Sequence, residues 1–292
     1  MCAIAGLFLP TAATARVADM DAMLGALAHR GPDGEGRYIS DDRRYQAGFR
    51  RLAIIDLETG DQPIVDKQRG RVLSGNGEIY NYLELRKNHS DYPYKTQGDM
   101  ETVLALHSAK GQNFYRDLNG MFALALYEQA EHRLTLVRDR LGIKPLYWAE
   151  LAGGGVLYGS EIKALFASGL VRREVDESAV ASYLGHGYVP DPQTLYKGIR
   201  QLPPGHLLRV GADGSIVVER YWRVTPASDL PTGGEDIARH LTDILKDSLR
   251  LQMRSDVPIG ALLSGGIDSG LMVALAAEQS SQPINTFTVR FE

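Results

Sequence analysis

The first two-thirds of the chain alternate short apolar runs with only a few helical periodicities. "CAIAGLF" (2–8) reads as a buried strand, and "YQAGFRRLAII" (45–55) and "GRVLSG" (70–75) read as strands. In "VADMDAMLGALAH" (17–29) the apolar positions Val17, Met20, Met23, Leu24 and Leu27 fall on one face of a helix. "DMETVLALHSAKG" (99–111) predicts another helix, with an acidic start and Gly111 as its stop. "MFALALY-EQAEH-RLTLVRD" (121–139) and "PLYWAEL-AGGG-VLYGSE" (145–161) predict antiparallel hairpins across turn-rich connections, and "EIKALFASG" (161–169) predicts a helix. Antiparallel sheets with helices packed outside them make an α+β domain.

A Gly- and Pro-rich passage (185–206) then leads into a hairpin in "LLRVGADGSIVVERYW" (207–222), and "RVTPASDLPTGGED" (223–236) reads as a linker. After it the pattern changes. "IARHLTDILKDSLRLQM" (237–253) is an amphipathic helix, "VPIGALL" (257–263) a buried strand, "SGGIDSG" (264–270) a loop, "LMVALAAEQ" (271–279) a helix and "INTFTVRF" (284–291) a second strand. Strand, helix and strand in that order form one βαβ unit, the opening of a parallel sheet.

Composition narrows the classes. With 44% hydrophobic and 23% charged residues the chain has the make-up of a soluble globular protein. The 32 basic residues stand against 36 acidic ones, a small and dispersed net charge of −4, which points to neither nucleic acid nor an anionic membrane surface. The apolar runs are far shorter than a membrane span. A single cysteine, Cys2, excludes an intramolecular disulfide and a thiolate zinc cluster, and suits the reducing cytoplasm. "AIAGLFLP" before "TAATA" loosely mimics a signal peptide, but the basic n-region is missing, the first basic residue being Arg16. Cleavage there would also discard the cysteine.

The position of that cysteine raises a chemical question. An initiator methionine is readily removed when the next residue is small, and the chain would then start at Cys2 with a thiol and an α-amine on one residue. An α-amine titrates near roughly 7.7–8.0 and can serve as a base for the neighbouring nucleophile; the plainer reading is a buried, inert cysteine. "GNGEIYN" (75–81), between a strand and a helix, is either an Asn-Gly turn or a backbone N–H beside an amide, which is what a tetrahedral oxyanion needs. Asp99 in "QGDME" caps a helix or meets a ligand ammonium. His29 in "HRGPD" reads as structural, and Arg51 matters if a ligand carboxylate needs a bidentate clamp. "LLSGGIDSG" (262–270) runs from strand through a Ser/Gly loop into a helix, an anion cradle suited to pyrophosphate and distinct from both GxxxxGK[ST] and GxGxxG. Asp268 there either holds magnesium or caps the helix.

Together these stretches resemble the glutamine-hydrolysing asparagine synthetase family. The resemblance is carried by "MCAIAGLF", "HRGPDGEG", "RLAIIDL", "GNGEIYNYLELR", "GDMETVL", "NGMFALALY", "RDRLGIKPLYW", "GSEIKAL" and "SDVPIGALLSGGIDS", in the family's order through nearly the whole chain. It implies an Ntn-hydrolase-type four-layer αββα sandwich, the glutaminase domain (1–222), followed by a linker and the first βαβ part of an α/β ATP pyrophosphatase-type domain (223–292). It further implies that Cys2 attacks the glutamine amide and that Asn76 and Gly77 form the oxyanion hole. Arg51 would hold the glutamine α-carboxylate, and Glu78 and Asp99 its α-ammonium. Leu262, Ser264, Gly265, Gly266, Asp268, Ser269 and Val289 would bind ATP, with Mg2+ at Asp268. The glutaminase half needs no cofactor. The substrates would be glutamine, aspartate and ATP, with ammonia passing between sites and the aspartate carboxylate adenylated, and a homodimer is the candidate assembly.

Two departures stand out. Ala3 replaces the glycine that many members carry, which keeps the backbone N–H. Members also continue for a few hundred residues more, so the chain is expected to be a fragment, able to hydrolyse glutamine and unable to complete the synthetase reaction. The alternatives are a relative that amidates or cyclises another carboxylate, and a non-catalytic ammonia-handling module, which the presence of Cys2, Arg51 and Asn76 disfavours.

Overall fold

Why the N-terminal strands carry apolar residues on both sides becomes clear from their place in the computed structural model, which describes residues 1–11, 18–152, 154–227 and 230–290. The chain divides into two compact units, Met1–Arg223 and Val224–Glu292. In order, the first contains β1 (Ala3–Phe8), α1 (Met20–Ala26), β2 (Gly34–Ile39), β3 (Tyr45–Arg51), β4 (Ile64–Asp66), β5 (Arg71–Ile79), α2 (Tyr82–Asn88) and α3 (Glu101–Lys110). It continues with β6 (Gly120–Glu128), β7 (Arg133–Arg138), β8 (Tyr147–Glu150), β9 (Val156–Gly159), α4 (Ile162–Ala167), α5 (Glu177–His186), β10 (Ile199–Gln201), β11 (His206–Val210) and β12 (Ile216–Arg220). One antiparallel sheet has the order β10-β8-β9-β1-β3-β2 and the other β12-β11-β7-β6-β5-β4.

Three apolar layers hold the unit together. Successive strand side chains point to opposite faces. On β1, Ile4 and Phe8 enter the layer between the sheets, where they meet Phe49, Ala125, Tyr127 and Trp148. Ala3, Ala5 and Leu7 face the other way, into a layer with Met23 and Leu27 beside α1 and Leu165 of α4. β6 divides likewise: Ala123, Ala125 and Tyr127 lie between the sheets, and Phe122, Leu124 and Leu126 pack with Val103, Leu104 and Leu106 of α3. The result is helix, sheet, sheet, helix, the expected αββα sandwich. A strand covered on both faces has no polar side, hence the unbroken runs.

Several local expectations are corrected. The "GNG" segment is no turn: Asn76 and Gly77 are strand residues of β5, opposite Ala123 and Phe122 of β6. Gly77 is needed there because a Cβ would lie 1.9 Å from the Met121 carbonyl oxygen, and its φ is 151°. The strand expected over 45–55 ends at Arg51, where the Leu52 N–H turns to Cys2 instead of a neighbouring strand. The helix expected over 17–29 is shorter: Asp19 caps α1 through the Ala22 N–H, and Ala28–Arg30 form a separate 3₁₀ turn. Val17 lies outside the described residues. Gly111, with φ 55°, does end α3.

The second unit contains α6 (Gly234–Gln252), β13 (Gly260–Leu262), α7 (Ile267–Gln279) and β14 (Asn285–Phe287). β13 and β14 are parallel, so the βαβ reading holds, with strands shorter than the apolar runs suggested.

One prediction arises from the first unit's interior. The Glu128 carboxylate, 3% exposed, accepts hydrogen bonds from Gln112 Nε2 (2.9 Å), Arg133 Nε (2.7 Å) and Arg133 Nη2 (2.9 Å), and lies 3.2 Å from His107 Nε2. Burial alone would raise its pKa; the bonds from His107 and Arg133 outweigh burial and hold it down to about 2. A depressed pKa contributes stability that is complete above the unfolded value and is lost as pH falls through the folded one. Glu128→Gln is therefore expected to cost about 2–3 kcal/mol in urea unfolding at pH 7, and little at pH 2.

Candidate active site

Cys2 stands at the head of β1, one residue before the pairing of Ala3 with Arg50, so the sheet carries it to the point where β3 ends. Its Sγ accepts the Leu52 N–H at 3.3 Å and lies 3.4 Å from the Leu52 carbonyl oxygen. Its own carbonyl accepts from Arg30 Nε at 3.2 Å. Arg30 and His29 both meet Glu161 Oε1 at 3.0 Å, so His29 belongs to the brace behind the cysteine. Burial pushes the Cys2 thiol up, partly offset by the Leu52 N–H.

β5 supplies the opposite side. Gln62 brackets its turn toward the site: Oε1 accepts the Gly75 N–H at 2.6 Å and Nε2 donates to the Gly75 carbonyl at 3.2 Å. The next residue, Asn76, is 1% exposed, and neither its Nδ2 nor its Oδ1 has a partner. Strand alternation puts it on the same side as Val72, the inter-sheet layer against which Cys2 also packs. A buried amide without a partner costs about 1–3 kcal/mol, and the site keeps it.

Asp99 does not cap α3; Met100 occupies that position, and the buried Asp99 carboxylate instead accepts the Ile79 N–H at 2.6 Å. Glu78 and Asp99 are both held above the ordinary carboxylate range. Burial is the main cause for each, and the Asp99 charge adds to it at Glu78. Arg51 is anchored by the carbonyls of Asp56 and Leu57 (3.3 Å) and by Asp61 Oδ1 (3.1 Å). Gly60 lies so close that a Cβ there would be 2.5 Å from Arg51 Nη2.

Cys2, Arg51, Gly77, Glu78 and Asp99 line one cleft. Its empty space, open mouth included, is about 420 Å³. Asn76, buried, directly precedes the lining residue Gly77 on β5. A thiol, a guanidinium and two carboxylates on one small cavity can hold a zwitterion and attack its side chain.

Sequence reasoning did not single out Lys144. Asp139 builds its loop by accepting the N–H groups of Leu141 (3.1 Å), Ile143 (3.0 Å) and Lys144 (2.9 Å), and Arg138 Nε donates to the Lys144 carbonyl at 2.8 Å. The Lys144 side chain is thereby buried with Nζ 3.4 Å from Met1 Sδ. "RDRLGIKP" showed this loop's residues but not where the lysine goes.

In the second unit the loop 263–266 joins β13 to α7. Gly265 adopts φ 82°, Ser264 Oγ lies 2.9 Å from Ser269 Oγ, and the Gly266 N–H donates to Ser264 Oγ at 3.4 Å. Gly266 holds the cap position of α7 with no side-chain cap, so Asp268 does not cap the helix. The first N–H groups of this 13-residue helix have no side-chain cap and lie beside two hydroxyls, an arrangement that fits a phosphate group. Leu262 and Val289, 80% and 77% exposed, lie at the carboxyl ends of the parallel strands, where open α/β sheets bind ligands. Among the described residues no three His, Cys, Asp or Glu side chains converge as a metal site. Magnesium held with phosphates needs only one or two carboxylates, which Asp268 fits.

Residues 1–222 match the glutamine amidotransferase domain family, and residues 240–292 match asparagine synthase. The chain belongs to the glutamine amidotransferase domain family. Asparagine synthetase [glutamine-hydrolyzing] 1 of Bacillus subtilis (strain 168) is 35% identical over 297 residues, covering 100% of this chain and 46% of the relative. A putative asparagine synthetase [glutamine-hydrolyzing] of Mycobacterium tuberculosis (strain ATCC 25618 / H37Rv) is 39% identical over 281 residues, covering 91% and 43%. The chain thus spans less than half the length of these relatives, and holds the amidotransferase domain and only the start of a synthetase domain. Among solved structures, the glutamine phosphoribosylpyrophosphate amidotransferase from B. subtilis superposes with a TM-score of 0.55 at 15% identity, covering 98% of this chain and 65% of that one, which shows a shared fold. No described helix of this amidotransferase is long and apolar enough to cross a membrane.

Proposed function

We propose that the N-terminal unit hydrolyses the side-chain amide of glutamine at Cys2, and that the second unit opens an ATP site where the ammonia is used. The observation that carries this reading is the convergence of Cys2, Arg51, Gly77, Glu78 and Asp99 on one cleft. Loss of Met1 exposes the Cys2 α-amine, which takes the thiol proton as Sγ bonds to the amide carbon. The carbonyl oxygen becomes an oxyanion, which the Gly77 N–H and the unpartnered Asn76 amide receive. The C–N bond breaks and ammonia leaves with the proton. Water then attacks the thioester, glutamate departs, and the thiol is restored. Arg51 pairs with the glutamine α-carboxylate, and Glu78 with Asp99 receives the α-ammonium.

In the complete protein we assign the acceptor to the aspartate side-chain carboxylate, on the strength of the relatives. Leu262 and Val289 would flank the adenosine, Ser264, Gly265, Gly266 and Ser269 would cradle the pyrophosphate, and Asp268 would hold Mg2+. ATP, when bound, supplies the leaving group that activates the acceptor carboxylate. The single cysteine suits a cytoplasmic enzyme.

The test is glutamate release from glutamine by the purified chain across pH 5.5–8.5. Both acidic groups titrate above the usual carboxylate range. Protonation of this pair as the pH falls through that range removes the negative charge that holds the ammonium, so KM for glutamine rises as pH falls. An analogue lacking the α-amino group is expected to show no such rise. A chain that leaves glutamine intact throughout contradicts the reading.

A further inference from the structure

A buried lysine near the nucleophile makes no short ion pair among the described residues, and the carboxylates that act on it, Glu78 and Asp139, do so from farther away. Lys144 is 5% exposed, and among the described residues no carboxylate lies within ion-pair distance of its Nζ. Its polar neighbour is the Met1 thioether, at 3.4 Å. Arg30 Nη2 lies 4.0 Å from the same sulfur, so two cations meet the residue that precedes Cys2. Arg30 is otherwise engaged, with its Nη1 on Glu161 and its Nε on the Cys2 carbonyl. Lys144 Nζ makes no second hydrogen bond among the described residues. A buried ammonium without a contact ion pair is costly to keep, and its loop is fixed by three N–H bonds to Asp139 and one from Arg138 to its own carbonyl.

We propose that Lys144 is a positioning residue for the N-terminal nucleophile: its charge drives the surplus proton off Cys2 and so sustains the reactive form. This rests on the glutaminase reading. Cys2 as an N-terminus carries one proton too many when the amine is ammonium and the sulfur is thiol. Removing one proton gives the reactive state, whichever atom keeps the other. A nearby cation favours that loss regardless of the tautomer. The groups that face this position are Cys2 itself, Arg30 and Asp33 from the turn after α1, Glu78 from β5, Asp99 before α3, and Lys144. Glu161, with His29 and Lys163, reaches it only through Arg30. Glu78 and Asp99 oppose the loss. Burial, then Arg30 and Lys144, lower the amine's proton affinity in the chain that still carries Met1.

The experiment compares Lys144→Met, Lys144→Gln and Lys144→Arg with the wild-type full chain, each confirmed to be mature at Cys2 and folded by circular dichroism. Two pH profiles are read: kcat/KM for glutamine, and the rate of Cys2 alkylation by iodoacetamide without substrate. Both neutral variants are expected to move the acid limb of both profiles up by about one pH unit, with the KM at pH 8.5 unchanged, and the arginine variant to keep the wild-type limb. An unmoved limb in a neutral variant overturns the proposal, as does a KM raised at every pH, which would make Lys144 a substrate contact. If the neutral variants do not fold, the arginine variant still decides, since a limb shifted despite the retained charge overturns the proposal and an unshifted limb upholds it. A wild-type chain that is inactive on glutamine at every pH rejects the glutaminase reading itself, whereas an active wild type with an unmoved limb in the variants rejects only the role of Lys144.

Discussion

Cys2→Ala is expected to lower kcat for glutamine hydrolysis by more than about 10⁴-fold, because no second thiol exists to replace it. The nucleophile is part of the reaction coordinate, so its loss is not made up by binding. The remaining binding groups, Arg51, Glu78 and Asp99, are untouched, and glutamine should still bind with a Kd near the wild-type value. Stability should change little, since Cys2 stands at the head of β1, before its first paired residue, and the change removes the sulfur's weak contacts with Leu52 and the inter-sheet layer. A Cys2→Ala chain that turns over glutamine at a comparable rate would place the chemistry elsewhere.

Asn76→Ala is expected to lower kcat by about 10²–10³-fold with little change in KM, the signature of a contact made only in the transition state. The stability effect separates this from a folding defect. In the resting structure both polar atoms of the Asn76 amide are buried without a partner, so truncation removes an uncompensated desolvation cost. Urea unfolding of Asn76→Ala should therefore show no loss of stability while activity falls. Equal loss of stability and activity would assign Asn76 to the strand and not to the chemistry. Gly77→Ala offers no such separation, because a methyl 1.9 Å from the Met121 carbonyl oxygen must displace β6.

Much of the fold could be read from the sequence where the physics is local. The unbroken apolar runs of β1 and β6 announced strands covered on both faces, and Gly111 ended α3 as expected. What was missed is non-local or weakly patterned. β4 and β10 are three residues long and exist only because longer neighbours pair with them. β2, "GEGRYI", alternates between half-buried and exposed positions and has little apolar content to betray it. α5 carried a readable Asp176 cap and a Gly187 stop with φ 77°, just ahead of the Gly- and Pro-rich passage into which it runs.

The site divides in the same way. Cys2, Arg51, Glu78 and Asp99 could be singled out by residue type and by resemblance, and the fold brings their side chains to one cleft. The role of "GNG" was obscured because Asn-Gly usually turns, and only pairing with β6 shows that Gly77 is there to permit a close backbone approach. Gln62 and Lys144 gave no signal: each acts across the fold, one on Gly75 and one beside Met1, and nothing in their own stretches foretells the partner.

The most direct measurement is intact mass spectrometry of the purified chain with and without 6-diazo-5-oxo-norleucine, followed by peptide mapping. The proposed glutaminase predicts a chain lacking Met1 that gains one adduct, mapped to Cys2, and loses that adduct when excess glutamine competes. A chain that retains Met1 and gains no adduct, or one labelled at another residue, would contradict it.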